Sequence, residues 1–259
     1  MNNQTLLQFD HVDFKYPRGQ KLVLEGFNLD ITPGSITAVL GANGAGKTTL
    51  LHLALGWLRP QGGAIRMGGK KLQEYTRRSL GQQISLVPQG EKMTFEFSLL
   101  EYVLLGRSPY LNPLDMPREE DVEIAHQSLE QVGLGDYSQR SIMNLSGGER
   151  QLVFIARTLA QQPKLLLLDE PSSYLDLGNK RKVVDLMRKL NQQGVTILLT
   201  THDPEVVSAL ANSLILVENG RVQKSGTMEE VFTSEHLSKL YHTPIRVLQI
   251  DNTRFVRWD

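Results

Sequence analysis

The run Gly41-Ala42-Asn43-Gly44-Ala45-Gly46-Lys47-Thr48 fits G-x-x-x-x-G-K-[ST], a pattern whose chemistry is the capture of phosphate. Its glycines let backbone N–H groups turn inward, and the helix expected directly behind them adds its positive end. Lys47 would reach the β- and γ-phosphates of a nucleotide, and the Thr48 hydroxyl would ligate Mg²⁺. A second glycine-rich turn, Leu145-Ser146-Gly147-Gly148-Glu149, also opens a helix but carries no lysine. Two anion-binding helix starts with one lysine-bearing loop point to a second copy of the chain that the extra start would serve.

Lys164-Leu165-Leu166-Leu167-Leu168-Asp169-Glu170 reads as a buried strand ending in two acids. An acid at the carboxyl end of a central parallel strand lies in the crevice where such sheets bind ligands. Asp169 is placed to hold Mg²⁺ through its water shell, and Glu170 to orient or deprotonate an attacking water. Read alone, the pair could instead cap a strand at the surface. Gln89, after the short strand ending Val87-Pro88, could join the metal shell or be an ordinary polar turn. His202, in Thr200-Thr201-His202-Asp203-Pro204, could hydrogen-bond a γ-phosphate oxygen or be structural. Tyr16 could stack on adenine or sit in a local core.

The elements that must hold these groups alternate. Leu6 to Tyr16 and Lys21 to Ile31 read as strands around a Pro17-Arg18-Gly19 turn. Ile36 to Leu40 reads as a buried strand, followed by the glycine loop and a helix from Lys47 to Leu55. Gly62 to Met67 and Ile84 to Pro88 add strands. From about Ser98 to Gln161 the pattern is helical, with Ser98 to Gly106 and Arg118 to Val132 as helices and no convincing strand between. Strands at Lys164 to Leu168 and Val195 to Thr200 then alternate with helices at Gly178 to Gln192 and Pro204 to Ala211. Asn219-Gly220 is a hairpin signal between Ser213 to Val217 and Arg221 to Ser225. The tail from Met228 reads as a short helical segment, then a strand or hairpin around Asp251-Asn252. This order predicts an α/β core with a largely parallel sheet, an N-terminal antiparallel β subdomain and an inserted helical subdomain at about 90–160, all in one domain over 1–259.

Lys+Arg and Asp+Glu both number 28 in a chain of 259 residues, so no net field favours nucleic acid or acidic lipid. The chain has no cysteine, which rules out disulfides and thiolate metal sites. Met1 to Thr5 offers no secretory signal, and no apolar run approaches the roughly 20 residues a membrane span needs. The expectation is a soluble chain that meets a membrane only through a partner.

Tyr16, Gly41–Thr48, Gln89, Leu145–Gln151, Leu165–Glu170 and His202, in that order, resemble the motifs of the ATP-binding cassette family, the motor subunits of its transporters. The resemblance spans about Leu6 to Ser225, and its distinguishing piece is Leu145-Ser146-Gly147-Gly148-Glu149-Arg150-Gln151. It implies a phosphate-loop fold and ATP hydrolysis with Mg²⁺. By matching positions, Tyr16 would meet adenine, Gly41 to Thr49 the phosphates, and Thr48, Gln89 and Asp169 the metal. Glu170 and His202 match the catalytic pair. Ser146, Gly147, Gly148 and Glu149 would bind the γ-phosphate held by the opposite subunit, and Asp176 matches a loop that communicates across the dimer. Tyr174 departs from the small residue usual in that loop. The implied partners are a second copy, membrane permease subunits and a separate substrate-binding protein, with the chain at the cytoplasmic face of the cell membrane.

The groove by Gln89 and Glu91 to Tyr110 is the expected docking surface for the permease, with Phe95 and Phe97 as contacts or, equally, core aromatics. Leu104-Leu105-Gly106-Arg107-Ser108-Pro109-Tyr110, with the Pro-rich Asn112 to Pro117, resembles cassettes of bacterial importers for iron–siderophore, haem, cobalamin or molybdate. An exporter or lipid-transport cassette, and a family ATPase acting on DNA or ribosomes, are the alternatives. Neutral charge and the lack of a second cassette speak against the last. A simple phosphate-loop kinase leaves Ser146 to Gln151 unexplained.

Overall fold

Strand and helix follow one another in the computed structural model, which describes residues 5–90, 93–173, 175–251 and 253–258. Met1 to Gln4, Glu91, Tyr174 and Asn252, each used above, lie outside the described residues. The strands are β1 (Leu7–Phe14), β2 (Leu24–Ile31), β3 (Ile36–Leu40), β4 (Gly62–Met67), β5 (Lys70–Lys71) and β6 (Ile84–Val87). They continue with β7 (Leu165–Asp169), β8 (Thr196–Thr201), β9 (Ser213–Glu218), β10 (Arg221–Thr227), β11 (Ile245–Ile250) and β12 (Thr253–Trp258). The helices begin with α1 (Lys47–Ala54), α2 (Arg77–Gly81), α3 (Leu99–Leu104), α4 (Glu119–Gln131) and α5 (Gly147–Ala160). After them come α6 (Leu177–Gln192), α7 (Pro204–Leu210), α8 (Met228–Val231) and α9 (Ser234–Tyr241). Two units emerge, Met1–Tyr75 with Met187–Asp259, and Thr76–Leu186.

In the first unit, β3 pairs in parallel with β8 on one side and β9 on the other, and β10 turns back antiparallel on β9. Every residue of β3 and β8 is buried, which is why both read as continuous apolar runs rather than alternating ones. A separate antiparallel sheet runs β2-β1-β4-β5. There one face is buried, and Leu7, Phe9, Val12 and Phe14 of β1 alternate inward to meet Phe27 and Ile65. β1 ends at Phe14, short of the expected Tyr16, because the chain turns there: Gly19 N–H donates to the Tyr16 carbonyl at 2.8 Å.

In the second unit, β6 and β7 pair in parallel, and α3, α4 and α5 pack on one another. Tyr102 and Phe154 anchor this core with ring centroids 5.7 Å apart. The motif Leu104 to Tyr110 belongs to it. The helix expected to reach Gly106 stops at Leu104 and tightens into a 3₁₀ turn, Leu105–Tyr110, that contains Pro109. Gly106 lies so close to α5 that a Cβ there would fall 2.1 Å from the Arg157 carbonyl oxygen. Arg107, 5% exposed, donates to Asp121 at 2.9 Å and to the Ala160 carbonyl at 2.8 Å. Tyr110 donates to the Gln161 carbonyl at 3.0 Å. Short helix α2, with Thr76 as its cap, is an element the sequence reading did not pick out. Among the described residues, no helix is long and apolar enough to cross a membrane.

Candidate functional site

The first unit carries the phosphate loop, Tyr16 and His202. Gly41 follows β3 directly, and a Cβ on it would lie 2.3 Å from the Val217 carbonyl oxygen, so only glycine fits. Gly46 has φ 97° and sits at the N-cap of α1, with no side-chain cap bond there. The first turn of α1 therefore offers backbone N–H groups and the positive end of a helix dipole without a competing carboxylate. Lys47 is buried and lies back along its own loop, donating to the carbonyls of Gly41 (2.8 Å) and Ala42 (3.2 Å). Ala42, Asn43, Gly44 and Thr48 are exposed, while Ala45 and Thr49 are buried.

Register brings His202 to the same place. Leu40 of β3 pairs with Thr201 of β8, and Gly41 N–H donates to the Thr201 carbonyl at 3.3 Å. His202 thus leaves the sheet beside the first residue of the phosphate loop, and it is exposed. Tyr16 is 39% exposed, packs edge-on against Phe14, and its hydroxyl lies 3.1 Å from Thr49 Oγ1. The ring is thus held beside the first turn of α1 and is partly open to solvent.

Gln89, the Ser146 turn, Asp169, Glu170 and Asp176 belong to the second unit. Val87 of β6 pairs with Leu168 of β7, so Gln89 and Glu170 each stand two residues past paired strand ends. Asp169 and Glu170 are 4% and 7% exposed, which sets aside the alternative of a solvated surface cap. Glu170 has φ 49°, a left-handed conformation rare for a non-glycine residue, and its Oε2 accepts from Ser173 Oγ at 3.2 Å. Phe95 is 69% exposed and stacks edge-on with the half-buried Phe97, so Phe95 is not a core aromatic.

Ser146 caps α5 in a reciprocal box. Ser146 Oγ accepts from Glu149 N at 3.3 Å, while Glu149 Oε2 accepts from Ser146 N at 2.9 Å and from Ser146 Oγ at 2.7 Å. These bonds from Ser146, with Arg140 beside them, hold the Glu149 carboxyl below the usual carboxylate range. An anion approaching this helix start meets the Glu149 carboxylate, unlike one approaching α1. Asp176 caps α6: its two carboxylate oxygens accept from Asn179 N (2.8 Å) and Asn179 Nδ2 (2.9 Å). The Asn179 side chain in turn lies against Gly148.

Two residues tied to these motifs have contacts that no sequence pattern gives. Arg107, named above only within the Leu104 to Tyr110 resemblance, is placed by its partners Asp121 and Ala160. Tyr241, distant in sequence, donates from its hydroxyl to the His202 carbonyl at 2.8 Å. Among the described residues, no three His, Asp or Glu side chains converge as a metal cage. Mg²⁺ on a nucleotide takes one or two protein ligands together with phosphate oxygens, and Thr48, Gln89 and Asp169 are oxygen donors of that kind.

Residues 24–173 match the family model described as ABC transporter. The molybdate import ATP-binding protein of Haemophilus influenzae is 40% identical over 240 residues, covering 92% of this chain and 89% of the relative. The iron(3+)-hydroxamate import ATP-binding protein of Bacillus subtilis is 34% identical over 231 residues, covering 89% and 86%. A metal-chelate type ABC transporter solved in an inward-facing conformation superposes with a TM-score of 0.86 at 37% identity, covering 98% of this chain and 97% of that one.

Proposed function

Because the chain belongs to the ATP-binding cassette family of transporter ATPases, we propose that it drives a bacterial importer of metal complexes or oxyanions. The chain is an ATP-binding, ATP-hydrolysing subunit with the family's α/β phosphate-loop fold. Its cargo would be a ferric siderophore, haem, cobalamin or molybdate. The observation that carries the importer reading is that import ATP-binding proteins match the chain at 34–40% identity over 89–92% of its length.

Residues 1–259 would act as one cassette. Gly41 to Thr49 would wrap the phosphates, with Lys47 exchanging its two loop carbonyls for the β- and γ-phosphate oxygens. Tyr16 would lie against adenine. Thr48, Gln89 and Asp169 would hold Mg²⁺, which supplies charge neutralisation at the β- and γ-phosphates when bound. Glu170 would take a proton from the attacking water, and His202 would steady the γ-phosphate. Two copies would meet head to tail, so that Ser146 to Glu149 of one faces the γ-phosphate bound by the other, with Asp176 reporting across the junction. Closure on ATP and opening after hydrolysis would drive permease subunits docked near Gln89 and Phe95 at the cytoplasmic face of the membrane. A separate binding protein would deliver cargo.

The test is recovery of the chain from native membranes and uptake in cells carrying Ser146→Arg. Co-purification of a permease and loss of uptake of one of the four cargoes is the expected result. Normal uptake of all four would overturn the cargo. Full ATPase activity of the purified variant would overturn the two-copy arrangement.

A further inference from the structure

We propose that Tyr241 is a positioning residue for His202, and that the C-terminal segment after β10 braces the loop on which that histidine sits. The proposal rests on the reading of His202 as the γ-phosphate contact. Only His202 and Asp203 separate β8 from α7. Both polar groups of the peptide that joins them are bonded. The Asp203 N–H donates to Thr201 Oγ1 at 3.0 Å, and the His202 carbonyl accepts from Tyr241 Oη at 2.8 Å. Bonding a peptide unit at both ends fixes its plane, and so fixes ψ of His202. The β3–β8 ladder fixes the residue before it. Together they set the direction in which the His202 Cα–Cβ bond leaves the chain. A ring that must meet a phosphate oxygen within hydrogen-bond distance depends on that direction.

Tyr241 is itself held firmly. It is the last residue of α9, which Thr233 caps through His236 N and which buries Leu237 and Leu240. His242, at φ 52°, ends the helix in the left-handed conformation, and its Nε2 lies 2.8 Å from Glu218 Oε1 at the end of β9. Since β9 neighbours β3, the path from β3 through β9, α9, Tyr241 and His202 returns through β8 to β3. The loop is thus anchored from both flanks of the strand that launches the phosphate loop. The hairpin β11–β12 packs on α7, where Ser208 Oγ donates to the Arg254 carbonyl, so the helix following His202 is braced as well.

Tyr241→Phe removes one hydroxyl and keeps the ring. We expect kcat for ATP to fall about fivefold, the weight of one net hydrogen bond, with KM for ATP unchanged. The imidazole Cε1–H resonance of His202, assigned by its absence in His202→Ala, should shift in Tyr241→Phe. In a His202→Ala background, Tyr241→Phe should leave the residual rate unchanged. An unmoved His202 resonance together with unchanged kcat would overturn the proposal, as would an equal fall in both backgrounds. If His202→Ala alone keeps the full rate, the γ-phosphate reading of His202 fails instead, and the resonance still decides whether Tyr241 positions the ring.

Discussion

Glu170 stands at the end of a fully buried strand, and its backbone enters the left-handed region at φ 49°. A non-glycine residue there costs of order 1–3 kcal/mol, a cost that clusters at active sites. Asparagine or glycine would relieve it and remove the acid, so the strain and the proposed general base come together. Glu170→Gln keeps both the backbone and an oxygen for Ser173, and should still bind ATP. Hydrolysis should fall by about 10²–10⁴, the range for loss of a positioned base. Unhydrolysed ATP should then hold two copies together, visible by size-exclusion chromatography with and without ATP. Turnover at the wild-type rate would remove Glu170 from the role. Tyr16 permits a cleaner split. Tyr16→Ala should weaken ATP by roughly 1–3 kcal/mol if the ring stacks on the base. Tyr16→Phe, which loses only the contact to Thr49, should bind nearly as the wild type in the same calorimetric titration.

The helix starts behave as two kinds of element. α1 opens without a side-chain cap, whereas α5 opens under a Ser146–Glu149 box. An uncapped start is available to phosphate at once. A boxed start is stabilised in the isolated subunit, and its carboxylate must give way or be outbid when a phosphate arrives. Ser146 therefore has a stability role that the motif alone does not reveal. Ser146→Ala should cost about 1 kcal/mol through the lost cap. Ser146→Arg should cost a similar amount, and thermal melting of the two variants should agree within a few degrees. Their ATPase rates should differ, because only arginine fills the space where the partner's phosphate would approach. Equal rates in the two would argue that the cap, and not a γ-phosphate contact, is what Ser146 supplies.

At the scale of the whole molecule, the buried Arg107–Asp121 pair ties stability to pH. Arg107 donates to Asp121, and that bond holds the Asp121 carboxyl below the usual carboxylate range. Unfolded, the same group titrates near about 3.9. The folded protein therefore binds fewer protons near that pH, and the pair's stabilisation is full above it and lost as pH falls through the lower folded value. Asp121→Asn should cost about 3–5 kcal/mol at pH 7, since it leaves Arg107 buried without its anion. The gap to wild type in urea unfolding should close below about pH 4. A gap independent of pH would show that packing, not charge, is lost. Assembly gives the other test at this scale. Lys47→Ala keeps the Ser146 turn and loses the loop lysine, while Ser146→Arg does the reverse. Each alone should be inactive, and a mixture should regain some ATPase activity by forming one composite site. No recovery at any ratio, with dimers present, would mean that both sites must be intact.

Local patterns were enough to establish the family, the phosphate loop and most of the elements. β3, β7 and β8 are legible because strands buried on both faces must be continuously apolar, and the glycine loop because phosphate capture demands a specific order of residues. Gly46 and the Asn219-Gly220 turn carry their backbone requirement in their identity. Other features exist only once distant segments meet. Gly41 must be glycine because Val217 arrives beside it, and Arg107 is a buried cation because Asp121 and the end of α5 close over it. The Leu104 to Tyr110 segment resembles importer cassettes, a likeness the relatives bear out, and only the fold shows that its glycine, arginine and tyrosine serve packing. The bond from Tyr241 to His202 spans 39 residues and follows no periodicity. Sequence fixes what is set by neighbours along the chain, whereas contacts between segments depend on loop lengths and strand register, which only the folded chain decides.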